Sequence, residues 1–228
     1  MDIKNFATRK NIVIAAAVLA VVLGSAAVLV MWKNQPRGIV VAVSNLPDSL
    51  NPVLEQNTSG MNAAELVFDG LVNFEVDAQS GSLYPQLALA ESIEQNPEDK
   101  KTYRVLLREA FWHNGNPVVA EDVKYSFDAY MDEQNASPKK AYLASFIREV
   151  RIVNAGTIEI EFINPIPEFR AYPVLTFKII PSLYQDRKMD TNMRSGENER
   201  NFAVAPVGTG PYRLTGWEIG KCGVLPFT

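Results

Sequence analysis

The chain has 228 residues, a formal charge of −4 and 47% hydrophobic residues, the composition of an ordinary folded protein. A single cysteine, Cys222, excludes an intramolecular disulfide framework, and a single histidine, His113, argues against a histidine-based metal centre. No basic run points to nucleic acid, and there is no internal repeat or low-complexity tract.

Residues 12–32 run for 21 positions without a charge. As a helix they would reach about 31 Å, enough to cross a bilayer core. Lys4, Arg9 and Lys10 precede the run, so the expected orientation leaves the N-terminus in the cytoplasm and exports the rest. Two readings fit. In one, a cleaved signal peptide ends at the small residues Gly24-Ser25-Ala26-Ala27. In the other, an uncleaved anchor uses the whole run, and this is preferred because the apolar character continues through Val28, Leu29, Val30, Met31 and Trp32. Either way the folded part is expected on the periplasmic, extracytoplasmic side, tethered to the cytoplasmic membrane if the run is kept.

Residues 33–37 read as a linker. The unbroken apolar run 39–43 reads as a strand buried on both faces. Residues 44–52 form a loop, and 53–60 an irregular polar stretch containing Gln56, Asn57 and Thr58. Met61, Ala64, Val67, Phe68 and Leu71 share one helical face, with core packing as their simplest role.

Residues 96–101 make a charged turn before a half-buried strand. In that strand Tyr103, Val105 and Leu107 face one way, and Thr102, Arg104 and Arg108 the other. Asn114-Gly115 predicts a tight turn, because both residues tolerate positive φ. From Ala120 the period becomes helical: Val123, Phe127, Tyr130 and Met131 face inward, with Glu121, Asp122, Lys124 and Asp128 expected in water. Glu121 and Asp122 suit the positive end of the helix dipole.

Residues 135–138 form a loop, followed by Lys139 and Tyr142. Strands over 150–154 and 157–162 make a second hairpin turning at Asn154-Ala155-Gly156. Glu159 and Glu161 alternate with Ile158, Ile160 and Phe162, so the two carboxylates belong to a solvated face rather than an acid/base pair. Pro165, Pro167, Pro173 and Pro181 cut the next segment into short pieces, and residues 186–201 read as a polar surface loop. Gly208-Thr209-Gly210 lacks the spacing and following helix of a phosphate loop. Pro211-Tyr212-Arg213-Leu214 is expected to continue as a strand, the glycines allowing a tight turn into it. No Ser/His/Asp set exists beyond His113, so the sequence does not read as an enzyme.

Several of these pieces resemble the peptide/nickel-type extracellular solute-binding proteins of bacterial ABC importers. They are Leu50-Asn51-Pro52, Phe68-Asp69-Gly70-Leu71, the segment from Leu83 to Ala88, Trp112-His113-Asn114-Gly115-Asn116-Pro117 with Ala120-Glu121-Asp122-Val123, and Pro206-Val207-Gly208-Thr209-Gly210-Pro211-Tyr212 with Trp217. In that pattern Val119 stands where the family carries Thr, removing a helix N-cap at about 1 kcal/mol unless another group caps the helix.

The resemblance implies an α/β fold (an α+β mixed sheet) forming the first lobe of a periplasmic-binding-protein-like type II clamp, preceded by the transmembrane or signal helix. It divides residues 38–228 into a subdomain over about 69–181, set into a larger sheet from 38–68 and 182–228. It also implies a truncated first lobe, since residues 221–228 depart from the family pattern.

The implied function is capture of an extended peptide or related small solute between two closing lobes, for delivery to an ABC permease in the membrane. No cofactor, metal or nucleic acid is implied. Carried over by position, the ligand contacts of this lobe are Gln56, Asn57, Thr58, Lys139 and Tyr142. Their alternative role is plain polar surface. A membrane-tethered interaction module without transport is the competing function.

Overall fold

The computed structural model describes residues 49–182 and 206–214. The apolar run 12–32, the strand expected over 39–43, the polar segment 186–201, Trp217 and Cys222 lie outside the described residues. In order, the elements are helix α1 (Thr58–Val67), strands β1 (Val72–Val76), β2 (Leu83–Leu87), β3 (Ala90–Gln95) and β4 (Thr102–Leu107), and helices α2 (Ala120–Met131) and α3 (Lys140–Phe146). Strands β5 (Ile147–Asn154) and β6 (Thr157–Phe162), the single-turn helix α4 (Glu168–Ala171) and a 3-10 turn at Val174–Thr176 follow. Strands β1 and β2 pair as a hairpin, and the other four form a sheet in the order β3-β4-β6-β5. Every pairing among the described strands is antiparallel. Among the described residues no helix is long and apolar enough to cross a membrane.

The sheet is organised by the two-residue period of its central strands. Tyr103, Val105 and Leu107 of β4 and Ile158, Ile160 and Phe162 of β6 are all buried. Cross-strand pairing sets Tyr103 beside Ile160 and Val105 beside Ile158. Helix α2 covers this face with Val123, Phe127 and Tyr130. On the other face Glu159 and Glu161 are paired rather than simply solvated. Glu159 meets Arg104 at 2.9 Å, and Glu161 meets Arg151 at 3.0 Å and Arg148 at 3.3 Å. Arg151 lies between Glu161 and Glu149, which stand opposite each other across the strands, and so offsets a like-charge pair.

Four local expectations are corrected. Asp122 is buried, not in water. Its Oδ2 accepts the indole N–H of Trp112 at 3.0 Å and the backbone N–H of Val119 at 3.0 Å, and its Oδ1 accepts the N–H of Ser182 at 2.7 Å. The helix that lacks a side-chain cap at Val119 is thus secured from its third residue, by the reciprocal half of a capping box.

The turn before α2 is built on His113 and Asn114. Gly115 N–H bonds Trp112 C=O at 2.7 Å, and of these residues only Gly115 takes a positive φ, 85°. Helix α1 ends at Val67, so Phe68 and Leu71 are buried beyond its end, while Met61 within it is 39% exposed.

Residues 206–214 do not form a strand. They run as an extended strap across the C-terminal end of α1. Gly210 N–H bonds Val67 C=O at 2.9 Å, and Tyr212 N–H bonds Leu66 C=O at 3.1 Å, supplying donors to helix carbonyls that have no partner within the helix. The glycines permit close approach rather than a turn. A Cβ on Gly208 would overlap the Val67 carbonyl, and one on Gly210 would sit 2.6 Å from Leu66 O. His113 holds the same strap: Gly208 N–H approaches its Nδ1 at 3.4 Å, and its Nε2 lies 2.8 Å from Gly210 O. Both contacts are met by the neutral tautomer with the proton on Nε2.

Candidate functional site

The loop ahead of α1 is a folded platform. Ser49 Oγ accepts Asn51 N–H at 2.9 Å, and Asn51 Oδ1 accepts Val53 N–H at 3.0 Å. The Asn51 carbonyl accepts from Leu54 and Glu55 at 3.1 and 3.0 Å. Glu55 is buried, with Oε2 accepting Ser49 N–H at 3.1 Å and Oε1 accepting Asn57 N–H at 2.5 Å. Its carboxylate lies over Gly60, where a Cβ would overlap it.

This scaffold fixes the three residues expected to meet a ligand. Gln56 and Thr58 are exposed. Asn57 caps α1, its Oδ1 accepting Ser59 N–H at 2.8 Å, so the helix begins inside the stretch expected to be irregular.

The other two residues open α3. Lys139 is its N-cap residue and is half-buried, and Tyr142 follows three positions later, 47% exposed. Residues three apart share a helix face. The Tyr142 ring packs on Phe146 at a centroid distance of 5.2 Å. The Lys139 ammonium makes no hydrogen bond or ion pair among the described residues. Burial pushes its pKa down, the charge of Glu65 opposes that shift, and Lys178 adds to it.

Glu65 and Lys178 were not singled out from the sequence, and Tyr130 was read only as an inward-facing residue of α2. Lys178 is 2% exposed, yet its Nζ meets Glu65 Oε2 at 2.6 Å and Asn73 Oδ1 at 3.3 Å. Asn73 Oδ1 also accepts Gly70 N–H at 3.1 Å, and its Nδ2 donates to Asp69 at 2.9 Å. The Tyr130 hydroxyl is sealed from solvent, with the backbone N–H of Lys178 facing it. Burial raises its pKa, the Lys178 backbone N–H opposes that shift, and the Glu65 charge adds to it. The one sequence signal for this cluster was a lysine set inside the apolar run Phe177-Lys178-Ile179-Ile180.

Two concavities lie elsewhere and hold none of the five expected residues. A polar cleft of about 300 Å³ is lined by Asp69, Asn73, Glu75, Arg108 and Thr209, among others. A groove of about 520 Å³ runs between α2 and edge strand β5. Among the described residues no group of three or more His, Cys, Asp or Glu is placed to hold a metal ion. Gln56, Thr58 and Tyr142 are exposed and Lys139 is half-buried, so these side chains are open to a ligand.

The family model for bacterial extracellular solute-binding proteins, family 5 (its middle part), matches residues 84–225. Protein XP55 of Streptomyces lividans is 33% identical over 184 residues, which cover 80% of this chain and 30% of that protein. The oligopeptide-binding protein OppA of Bacillus subtilis is 26% identical, over 78% of this chain and 33% of its own length. The crystal structure of NikZ from Campylobacter jejuni, in complex with Ni(L-His), superposes with a TM-score of 0.65 at 28% identity, covering 82% of this chain and 34% of that one. The chain thus spans about a third of the length of the curated relatives it matches.

Proposed function

Because the chain belongs to family 5 of the bacterial extracellular solute-binding proteins, we propose that it captures extended peptides or related small solutes outside the cytoplasm and delivers them to an ABC permease. The match to the family model over residues 84–225 carries this reading. The oligopeptide-binding relative supports peptides, and the nickel–histidine complex of the structural relative keeps chelates open.

In this reading Gln56, Asn57, Thr58, Lys139 and Tyr142 line one wall of the ligand cleft. Asn57 Oδ1 is engaged in capping α1, so its contribution falls to the side-chain amide N–H groups. We also propose the division in which residues 69–181 are an insert between two flanks of a larger sheet. The bonding of the 206–214 strap to the end of α1, across about 140 positions, supports that division.

The test is calorimetry on the 228-residue chain with mixed di- to pentapeptides. One wall leaves most of a ligand in water, so we expect affinity no better than about millimolar. Absence of any peptide, chelate or related solute binding, checked by ligand-observed NMR, would count against the reading.

The apolar run 12–32 motivates a second proposal, that the chain is held at the membrane whether or not it transports. Cell fractionation decides this one. A soluble product whose N-terminus lies near Val28 would remove it.

A further inference from the structure

Strand β5 forms one edge of the four-stranded sheet, with no strand beyond it among the described residues. The bonds of its neighbour β6 show which β5 groups face that edge. Phe162 N–H bonds Lys101 C=O at 2.9 Å, and Leu107 N–H bonds Gly156 C=O at 2.8 Å. The even-numbered residues of β6 therefore turn their backbone groups towards β4, and Glu159 and Glu161 turn theirs towards β5. Glu149 and Arg151 stand opposite those two and face back into the sheet. Val150 and Ile152 consequently point their N–H and C=O groups outward. Ile152 and Val153 are also 40% and 46% exposed. Free backbone groups beside exposed apolar side chains form a template for another strand.

Register shifts at Ile147/Glu149 and Ile152/Asn154 confine the regular edge to residues 149–152. Its charges complement themselves in one symmetric register. An antiparallel copy of β5 centred on Glu149 or on Arg151 sets like charges opposite each other. Centring it on Val150 sets Glu149 opposite Arg151 of the second copy, twice by symmetry. Val150 then meets its own counterpart through two backbone bonds. Glu149 and Arg151 occupy the non-hydrogen-bonded positions, where facing side chains lie closest. Among the described residues Glu149 pairs only with Arg151, which Glu159 and Glu161 also engage. A second guanidinium would relieve that competition.

We propose that β5 is a self-association edge, through which two copies of this chain join their sheets antiparallel about a two-fold axis at Val150. The bulges at either end keep the contact short, so the dimer forms only at about 0.1 mM or above.

The test follows the 228-residue chain in mild detergent by sedimentation and by amide hydrogen exchange, from about 10 µM to about 1 mM. The mass should rise towards that of a dimer. Exchange at the Val150 amide should slow as concentration rises, while the Arg151 amide, already bonded within the sheet, should not change. Raising the salt concentration should weaken association.

Arg151→Glu and Glu149→Arg should each weaken association about tenfold by setting like charges opposite. An equimolar mixture of the two variants should recover it, because every facing pair is then of opposite sign. A mass that stays constant across the range overturns the proposal. So does association that neither folded variant weakens, which would place the contact elsewhere. Protection of Val150 that is independent of concentration also overturns it, since a segment of the same chain would then cover the edge.

Discussion

The indole N–H of Trp112 donates to the Asp122 carboxylate at 3.0 Å, and this buried bond ties the turn before α2 to the helix that the turn introduces. The same carboxylate holds Val119 N–H and Ser182 N–H. Asp122→Ala would leave three donors without an acceptor in a site that excludes water. A loss of about 3 kcal/mol in urea unfolding is expected. Asp122→Asn should lose less, because one oxygen remains. A loss below about 0.5 kcal/mol for the alanine variant would mean that water replaces the carboxylate.

Gly208→Ala tests the strap. Its methyl group would overlap the Val67 carbonyl, so the strap must lift away from α1. Destabilisation of about 2 kcal/mol is expected, with faster hydrogen exchange at Gly210 and Tyr212. Gly156→Ala is the control: the nearest atom to its new methyl is 3.9 Å away, and a change within about 0.5 kcal/mol is expected. If the two variants melt alike, the close approach of strap to helix is not a determinant of stability.

The ion pair of Glu65 and Lys178 is asymmetric in burial, with side chains 61% and 3% exposed. Removing the exposed partner leaves a buried cation without its counter-charge. Removing the buried partner leaves an exposed carboxylate in water. Glu65→Gln is therefore expected to destabilise by about 2 kcal/mol, and Lys178→Met by less, or not at all. Chemical denaturation of the two variants side by side gives the order, and the reverse order would refute the assignment.

Alkaline stability should depend on Tyr103. Burial, with the Glu168 charge adding to it, pushes its pKa up to about 12, and its hydroxyl donates to Ile166 C=O at 2.8 Å. The folded chain therefore keeps this proton at a pH where the unfolded chain has lost it. The associated stability is complete below about pH 10 and is lost as pH rises through about 12. Tyr172 is pushed in the same direction, to about 12, first by burial and then by its bond to Glu168. Tyr103→Phe should flatten the decline of stability with pH over this window, as read by circular dichroism. An unchanged slope would assign the decline to other groups.

Much of the fold is legible in the chain because its strands are half-buried. Alternation placed Tyr103, Val105 and Leu107 inward, as they are, and the change to a helical period placed the start of α2 at Ala120. The same reasoning failed at Asp122. A carboxylate in a first turn reads as solvated when its partners are not visible, and those partners come from Trp112 and Ser182, brought together only by folding. Of the candidate site, Gln56 to Thr58, Lys139 and Tyr142 could be named from motif position. Glu65, Lys178 and Tyr130 could not, because neighbours on a chain say little about which charges meet across α1, α2 and the segment after the 3-10 turn.

The glycines at 208 and 210 mark the boundary most clearly. Sequence by itself determined the family, the main sheet strands and the principal helix, since each is written in local pattern, and it read these glycines as a turn into a strand. Tertiary structure alone decided why the glycines are there, which end of which helix the strap meets, and that Lys178 is buried with Glu65 as its ion-pair partner. Those outcomes depend on backbone groups and charges far apart in the chain that share one small volume, where excluded water makes every unmatched donor count.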